Sequence, residues 1–383
     1  MKVILFIGHH KVGSTSLQDF LARNSVALAQ AGILYPSVDF ESMSLSLAKA
    51  VGRGTAQKDV LPINAREPHN ALAYRMMEER NKGKIPVYHK ALPSRPQMVR
   101  AIRQQIEFLQ PQAVILAAEV FANFAPIDTG LIKSLRDIFP PKAEITVLAT
   151  LRRIDEYLAS WHGQRLKFSH KIAPLREGGL QQQFNGIHFD YRVMLEGWLN
   201  TLPNANFILR DYADVQASGG SVADFIAQSG LEFPEDLISE RRTNASLHRG
   251  LYEIARRGNL ALPAPKARAL RLRLQELTPK LDLPKSSEIE LFGAQNRQEM
   301  VDRFDKVHKF LGETSGKTPF FSDLEAARET LPFDELEVFR HAAAEVHRNS
   351  NKFKEPEIRD FLETLVEQPP SRLATIFGRK RSS

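Results

Sequence analysis

Four short apolar runs in the first 210 residues constrain this chain more than any other feature. They occupy 3–7, 113–118, 145–151 and, more weakly, 206–209. A run that is apolar at every position, rather than at alternate ones, is the pattern of a strand covered on both faces. Between the runs the periodicity becomes helical. Leu17, Phe20, Leu21 and Leu28 follow the first run, and helical patterns fill 96–110, 128–138 and 154–168. Strands that alternate with helices need crossover connections. The expectation is therefore α/β, a central parallel sheet with helices on both faces.

The intervening stretches divide the rest of the chain. Residues 37–95 carry Gly52, Gly54, Pro62, Pro68, Gly83, Pro86 and Pro93 among many polar residues, with helical pieces near 41–51 and 70–82. They read as an insertion between the first and second core strands, a lid or acceptor wall. Residues 169–187 are loop-like. Beyond about 245 the chain is helical and charged, with a break at Pro263–Pro265, and ends in Arg379-Lys380-Arg381. The expected organisation is one α/β domain over 1–320 with a helical C-terminal appendage over 321–383.

Composition limits the chemistry. There is no cysteine, which excludes disulfides, thiolate metal sites and a cysteine nucleophile. Fifty-two Lys and Arg against 45 Asp and Glu leave a charge of +7, so an anionic partner suits the chain. No stretch reaches the roughly 18 apolar residues of a membrane span. The apolar start breaks off at Gly8-His9-His10-Lys11, unlike a signal peptide, and a cytoplasmic location is the expectation.

The chemistry-bearing segment is Gly8-His9-His10-Lys11-Val12-Gly13-Ser14-Thr15-Ser16, between the first strand and its helix. Backbone N–H groups at such a junction, with a helix N-terminus behind them, form an anion site. An ATP- or GTP-binding loop places Lys directly after its second glycine. Here Ser14 stands there, and the lysine is Lys11. Lys11-Val12-Gly13-Ser14-Thr15 resembles the 5′-phosphosulfate loop of sulfotransferases that use 3′-phosphoadenosine 5′-phosphosulfate (PAPS), a P-loop-like fold.

That resemblance implies a second motif, an Arg ending a core strand and a Ser eight residues on, which together hold the 3′-phosphate. Arg152 and Ser160 match it, with Arg153 adjacent. It also implies a base. In the carbohydrate-type branch a Glu follows the intervening strand, and Glu119 in Ala118-Glu119-Val120-Phe121-Ala122-Asn123-Phe124 matches, although Val120 replaces the usual lysine. His10, His89 and His162 are the alternatives. Leu151 to Trp161, Phe189-Asp190-Tyr191 through Trp198 to Tyr212, and Asn244-Ala245-Ser246-Leu247 are similar to bacterial members, with Arg241-Arg242 just before the last. The resemblance spans 1–36 and 110–250.

What it implies is sulfuryl transfer from PAPS to an acceptor hydroxyl on a carbohydrate or glycolipid. Lys11 and Glu119 are the catalytic pair. Lys11, Gly13, Ser14, Thr15, Ser16, Arg152 and Ser160 hold the donor, and no metal and no nucleic acid are involved. Two other readings stay open: a kinase or nucleotide hydrolase using ATP or GTP with magnesium, and a non-catalytic adaptor on the same fold. Oligomeric state is not legible.

Overall fold

The computed structural model describes residues 1–53, 61–80, 83–239 and 246–366. The protein is α/β, and its chain forms two compact units. One comprises Met1–Arg153, Asp190–Thr243 and Lys306–Ser322; the other comprises Ile154–Phe189, Asn244–Asp305 and Asp323–Ser383. Of the joins between them, Ser322/Asp323 falls beside the boundary expected at 320/321, and the others lie inside 1–320.

The first unit contains a five-stranded parallel sheet flanked by helices. Its strands are β1 (Lys2–Gly8), β2 (Ile33–Leu34), β3 (Ala113–Ala117), β4 (Glu144–Leu151) and β5 (Asn206–Asp211), in the order β2-β3-β1-β4-β5. Four of the strands coincide with the apolar runs. The fifth, β2, is two residues long, too short to leave a periodicity, and pairs Ile33 with Ala113 and Leu34 with Val114. Because β2 intervenes, the 37–95 segment connects β2 to β3 rather than following β1 directly.

Alternation in β1 shows why its run is apolar throughout. Ile4 and Phe6 join one core cluster with Leu17, Phe20 and Leu21 of helix α1 (Ser14–Arg23) and with Phe225. Val3, Leu5 and Ile7 point to the opposite face and have no exposed surface. Beyond the sheet, Phe124 and Trp198 stack with centroids 6.3 Å apart. One helix of the 37–95 segment also contributes buried side chains. Ala71, Leu72, Ala73, Met76 and Met77 of helix α2 (Pro68–Glu79) are buried.

The second unit is mostly helical, as expected beyond 245, but holds a short parallel pair, Ile289–Glu290 with Phe333–Asp334. The tail is therefore not helical throughout. Buried Arg297 ties this unit together, bonding Glu290 at 2.7 Å with Asp155 at 3.6 Å. Among the described residues, no helix is long and apolar enough to cross a membrane.

Candidate functional site

The sheet order makes β1 the central strand. The chain leaves it toward β2 on one side, returns through β3, and then crosses to β4 on the other side. Ligands of open parallel sheets bind at the C-terminal strand ends where the connections diverge in this way. The segment singled out in the sequence begins at that point.

Residues 8–16 form a tight turn onto α1. Gly8, Lys11 and Gly13 have positive φ angles of 95°, 64° and 86°. A non-glycine residue rarely adopts that conformation, so Lys11 is held there by its surroundings. Ser221 Oγ donates to Val12 O at 2.9 Å and lies inside contact distance of any Cβ placed on Gly13. The His9 N–H donates to Thr150 O at 2.8 Å, which anchors the loop to β4. The ten-residue helix α1 begins at Ser14 with no side chain capping it and no acidic residue in its first turn. Its leading N–H groups and partial positive charge are thus oriented toward the loop, the arrangement that accepts an anion. Ser14 is buried, while Thr15 and Ser16 are half-buried.

Glu119 follows β3 and lies against the start of this loop. A Cβ on Gly8 would stand 3.0 Å from the Glu119 Cα. The structure therefore brings Lys11, the Gly13–Ser16 turn and Glu119 to one sheet edge. Both Glu119 carboxylate oxygens are held by amides. Asn70 Nδ2 donates to Oε1 and Gln18 Nε2 to Oε2, each at 3.2 Å. Asn70 Nδ2 also reaches Glu67 Oε2 at 3.1 Å, so one amide bridges two carboxylates. Glu67 Oε1 accepts from Arg66 Nε and Nη2 at 3.0 and 2.7 Å. Burial first, then the negative charge of Glu119, holds the Glu67 carboxyl above the usual range.

Glu67, Asn70 and Gln18 were not among the residues picked out from the sequence. Gln18 is the fifth residue of α1 and one of several buried polar positions on that helix, with Ser14, Asp19 and Arg23. Glu67-Pro68-His69-Asn70 at the head of α2 carried a weaker signal, polar residues directly ahead of the apolar Ala71-Leu72-Ala73. His69 fixes that head in place. Its ring accepts from the Ala117 N–H at 3.1 Å and bonds Pro36 O at 3.1 Å, and burial lowers its pKa to about 3.

Arg152 follows β4. Its guanidinium lies 4.9 Å from the Tyr212 ring centroid, and its carbonyl accepts from Tyr191 Oη at 2.8 Å. Ser160 lies half-buried on the helix Ile154–Lys167 of the second unit. Arg241, Arg242, Asn244 and Ala245 lie outside the described residues, as does Arg379-Lys380-Arg381.

Of the alternative bases, His10 is lowered to about 4 by burial and then by the charge of Lys11. His162, in the second unit against Tyr252, is lowered to about 3, chiefly by burial. Both are weak bases at neutral pH. His89 lies nearer Glu67 than its sequence position suggested. Its Nδ1 is 2.9 Å from Asn64 Oδ1, and burial, its largest influence, lowers it too. Among the described residues, no group of three or more His, Asp and Glu is placed to hold a metal. No protein-family model matches the sequence, and comparison with curated proteins and with solved structures returns no match.

Proposed function

We propose that the protein is a P-loop-like sulfotransferase that moves a sulfuryl group from PAPS to an acceptor hydroxyl on a carbohydrate or glycolipid. The observation that carries this reading is the uncapped start of α1 behind the Lys11–Ser16 turn, with the Glu119 carboxylate beside Gly8. An anion cradle and a carboxylate side by side suit transfer of an activated anionic group to a nucleophile that must lose a proton. The displaced lysine of the loop favours a phosphosulfate over ATP.

PAPS, as donor substrate, supplies a sulfuryl group linked to a good phosphate leaving group. The N–H groups from Gly13 to Thr15 and the Ser16 hydroxyl bind the 5′-phosphosulfate, while the Ser16 N–H donates to Gly13 O at 3.1 Å. Lys11 offsets the charge that builds on the bridging oxygen as the bond to sulfur breaks. Arg152 and Ser160 are assigned to the 3′-phosphate, where the always-charged guanidinium suits a dianion. Glu119 takes the acceptor proton while the acceptor oxygen bonds to sulfur in line with the departing phosphate. The amides of Asn70 and Gln18 keep its carboxylate oriented. A cytoplasmic location belongs to the same reading.

Thermal shift separates this from its rivals. The desulfated donor, 3′-phosphoadenosine 5′-phosphate (PAP), should raise Tm, and ATP with magnesium should not. The reverse pattern would establish the kinase or hydrolase reading, and no shift with either the adaptor. Lys11→Ala should lower kcat with labelled PAPS about 10²–10³-fold, the usual cost of losing one charge-stabilising donor. Wild-type turnover in that variant would exclude the mechanism.

A further inference from the structure

Around Glu119 the protein collects hydrogen-bond acceptors in excess of donors. Asn70 and Gln18 both turn their NH2 groups onto carboxylate oxygens. Their carbonyl oxygens, Asn70 Oδ1 and Gln18 Oε1, are left buried without a partner. His89 adds a third. Its Nδ1 faces the carbonyl oxygen of Asn64 and so carries the hydrogen, which leaves Nε2 as a lone-pair acceptor, also buried and unpartnered. All three side chains are nearly inaccessible, at 2% for Asn70, 0% for Gln18 and 4% for His89. A buried acceptor without a donor is unfavourable, because it has given up water for nothing. Two of the three sit on the amides that hold the carboxylate pair and the third on the partner of Asn64, three residues before Glu67. Together they call for a ligand that brings donors.

Two further features narrow that ligand. The rings of Tyr74 and Tyr88 lie 5.6 and 5.0 Å from the ring of His89, and Tyr88 is 40% exposed. Burial, followed by other influences that include the charges of Glu67 and Glu119, holds both phenols above their usual range. Tyr74 stands one turn beyond Asn70 on α2, and Asn70 bonds both carboxylates, so the carboxylates and the aromatic rings border one region. Flat faces next to acceptors suit a ring with an apolar face and hydroxyls at its edge. The second feature is charge. Glu67 and Glu119 are negative groups bridged by a single amide, and the guanidinium of Arg66 is engaged by Glu67. Such a wall repels anions, even though the whole chain is basic.

Resting on the sulfotransferase reading, we infer that this wall is the acceptor subsite and that it takes a neutral polyhydroxyl ring, a sugar bearing neither carboxylate nor sulfate. Glu67 is the residue that sets this preference. It accepts a hydrogen bond from a hydroxyl next to the one that gives its proton to Glu119, and it adds the second negative charge that rejects acidic sugars.

Saturation-transfer NMR tests the inference on PAP-loaded and on ligand-free protein. The probes are the methyl glycosides of glucose, galactose and mannose, each beside the methyl glycoside of its uronic acid. At least one neutral glycoside should bind, at least about five-fold more tightly than its uronate, since a like charge brought to a charged wall costs affinity. Glu67→Gln should narrow that ratio to about two-fold or less, because it removes a charge at constant size. Tyr88→Ala, at an exposed ring, is the second variant and should weaken the neutral glycoside; unchanged binding in it counts against the subsite. Binding of no neutral glycoside to either form of the protein, or uronates that bind as tightly as their neutral partners, overturns the inference. PAP binding is read separately by Tm shift. Its failure removes the donor assignment, and the glycoside result on ligand-free protein still decides the subsite.

Discussion

At the scale of single residues, the loop depends on two positions that tolerate no side chain. Gly13 has φ 86°, and a Cβ there would meet Ser221 Oγ. Gly13→Ala should therefore destabilise the protein by at least about 2 kcal/mol through backbone strain and overlap together, and remove the PAP-induced Tm shift. Combining it with Ser221→Ala separates the causes, because the second change relieves the overlap and leaves the strain. Urea unfolding of the four proteins of this cycle measures the coupling, and strictly additive losses would show that Ser221 plays no part. Gly8 is closed in a different way, by the Glu119 Cα at 3.0 Å. Gly8→Ala should disturb Glu119 before it disturbs the fold. The check is kcat with PAPS, expected to fall by about 10²-fold or more from misplacement of the base, while Tm moves by only a few degrees. Both glycines were legible as turn formers from Gly8-x-x-x-x-Gly13. What fills the space beside each was not, because Ser221 and Glu119 are more than a hundred residues away in the chain.

At the scale of elements, the helix Glu335–Arg348 of the second unit begins on a buried carboxyl. Asp334 caps this helix, accepting from the Leu336 N–H at 2.8 Å, and Arg176 bonds Asp334 at 2.9 Å. Glu335 is raised to about 8, first by burial and then by Glu253 and Asp334, against the opposing pull of Arg176 and Arg256. A carboxyl whose pKa is higher in the folded than in the unfolded state stabilises the fold fully below its unfolded pKa. That contribution is lost as pH rises through the folded value. Here the loss spans the interval from 4.5 to about 8. Glu335→Gln should abolish it, so the Tm of the variant relative to that of the wild type should increase by several degrees across this interval. Parallel Tm curves would contradict the assignment. The sequence read as helical over the whole of 321–383. It did not show the short pairing of Phe333–Asp334 with Ile289–Glu290 that sets the helix entry, since two residues leave no pattern.

At the scale of the whole molecule, acid stability should be governed by histidines held neutral in both units. His69 and His162 are lowered to about 3 and His10 to about 4, with burial the largest cause in each. Each binds a proton more readily unfolded than folded. Their contribution is complete above pH 6.5 and is lost as pH falls toward 3–4. In the Glu335→Gln background, where one opposing carboxyl is gone, the urea midpoint should rise steadily from about pH 4 to 6.5; a flat profile would refute this. The same scale separates what was legible from what was not. Amino-acid order alone determined four of the five sheet strands, the parallel α/β class and the loop onto α1, because steric and hydrophobic periodicities are local and each element carries its own. It also placed Lys11 and Glu119 at strand ends, where a parallel sheet gathers its ligands. Only the tertiary structure decided that Asn70 and Gln18 grip the two Glu119 oxygens, that Glu67 stands across the Asn70 amide, and that helix α2 within 37–95 is core. Those contacts join residues 49 and 101 positions apart. They depend on how α1 and α2 pack against β3, and no local spacing encodes that packing.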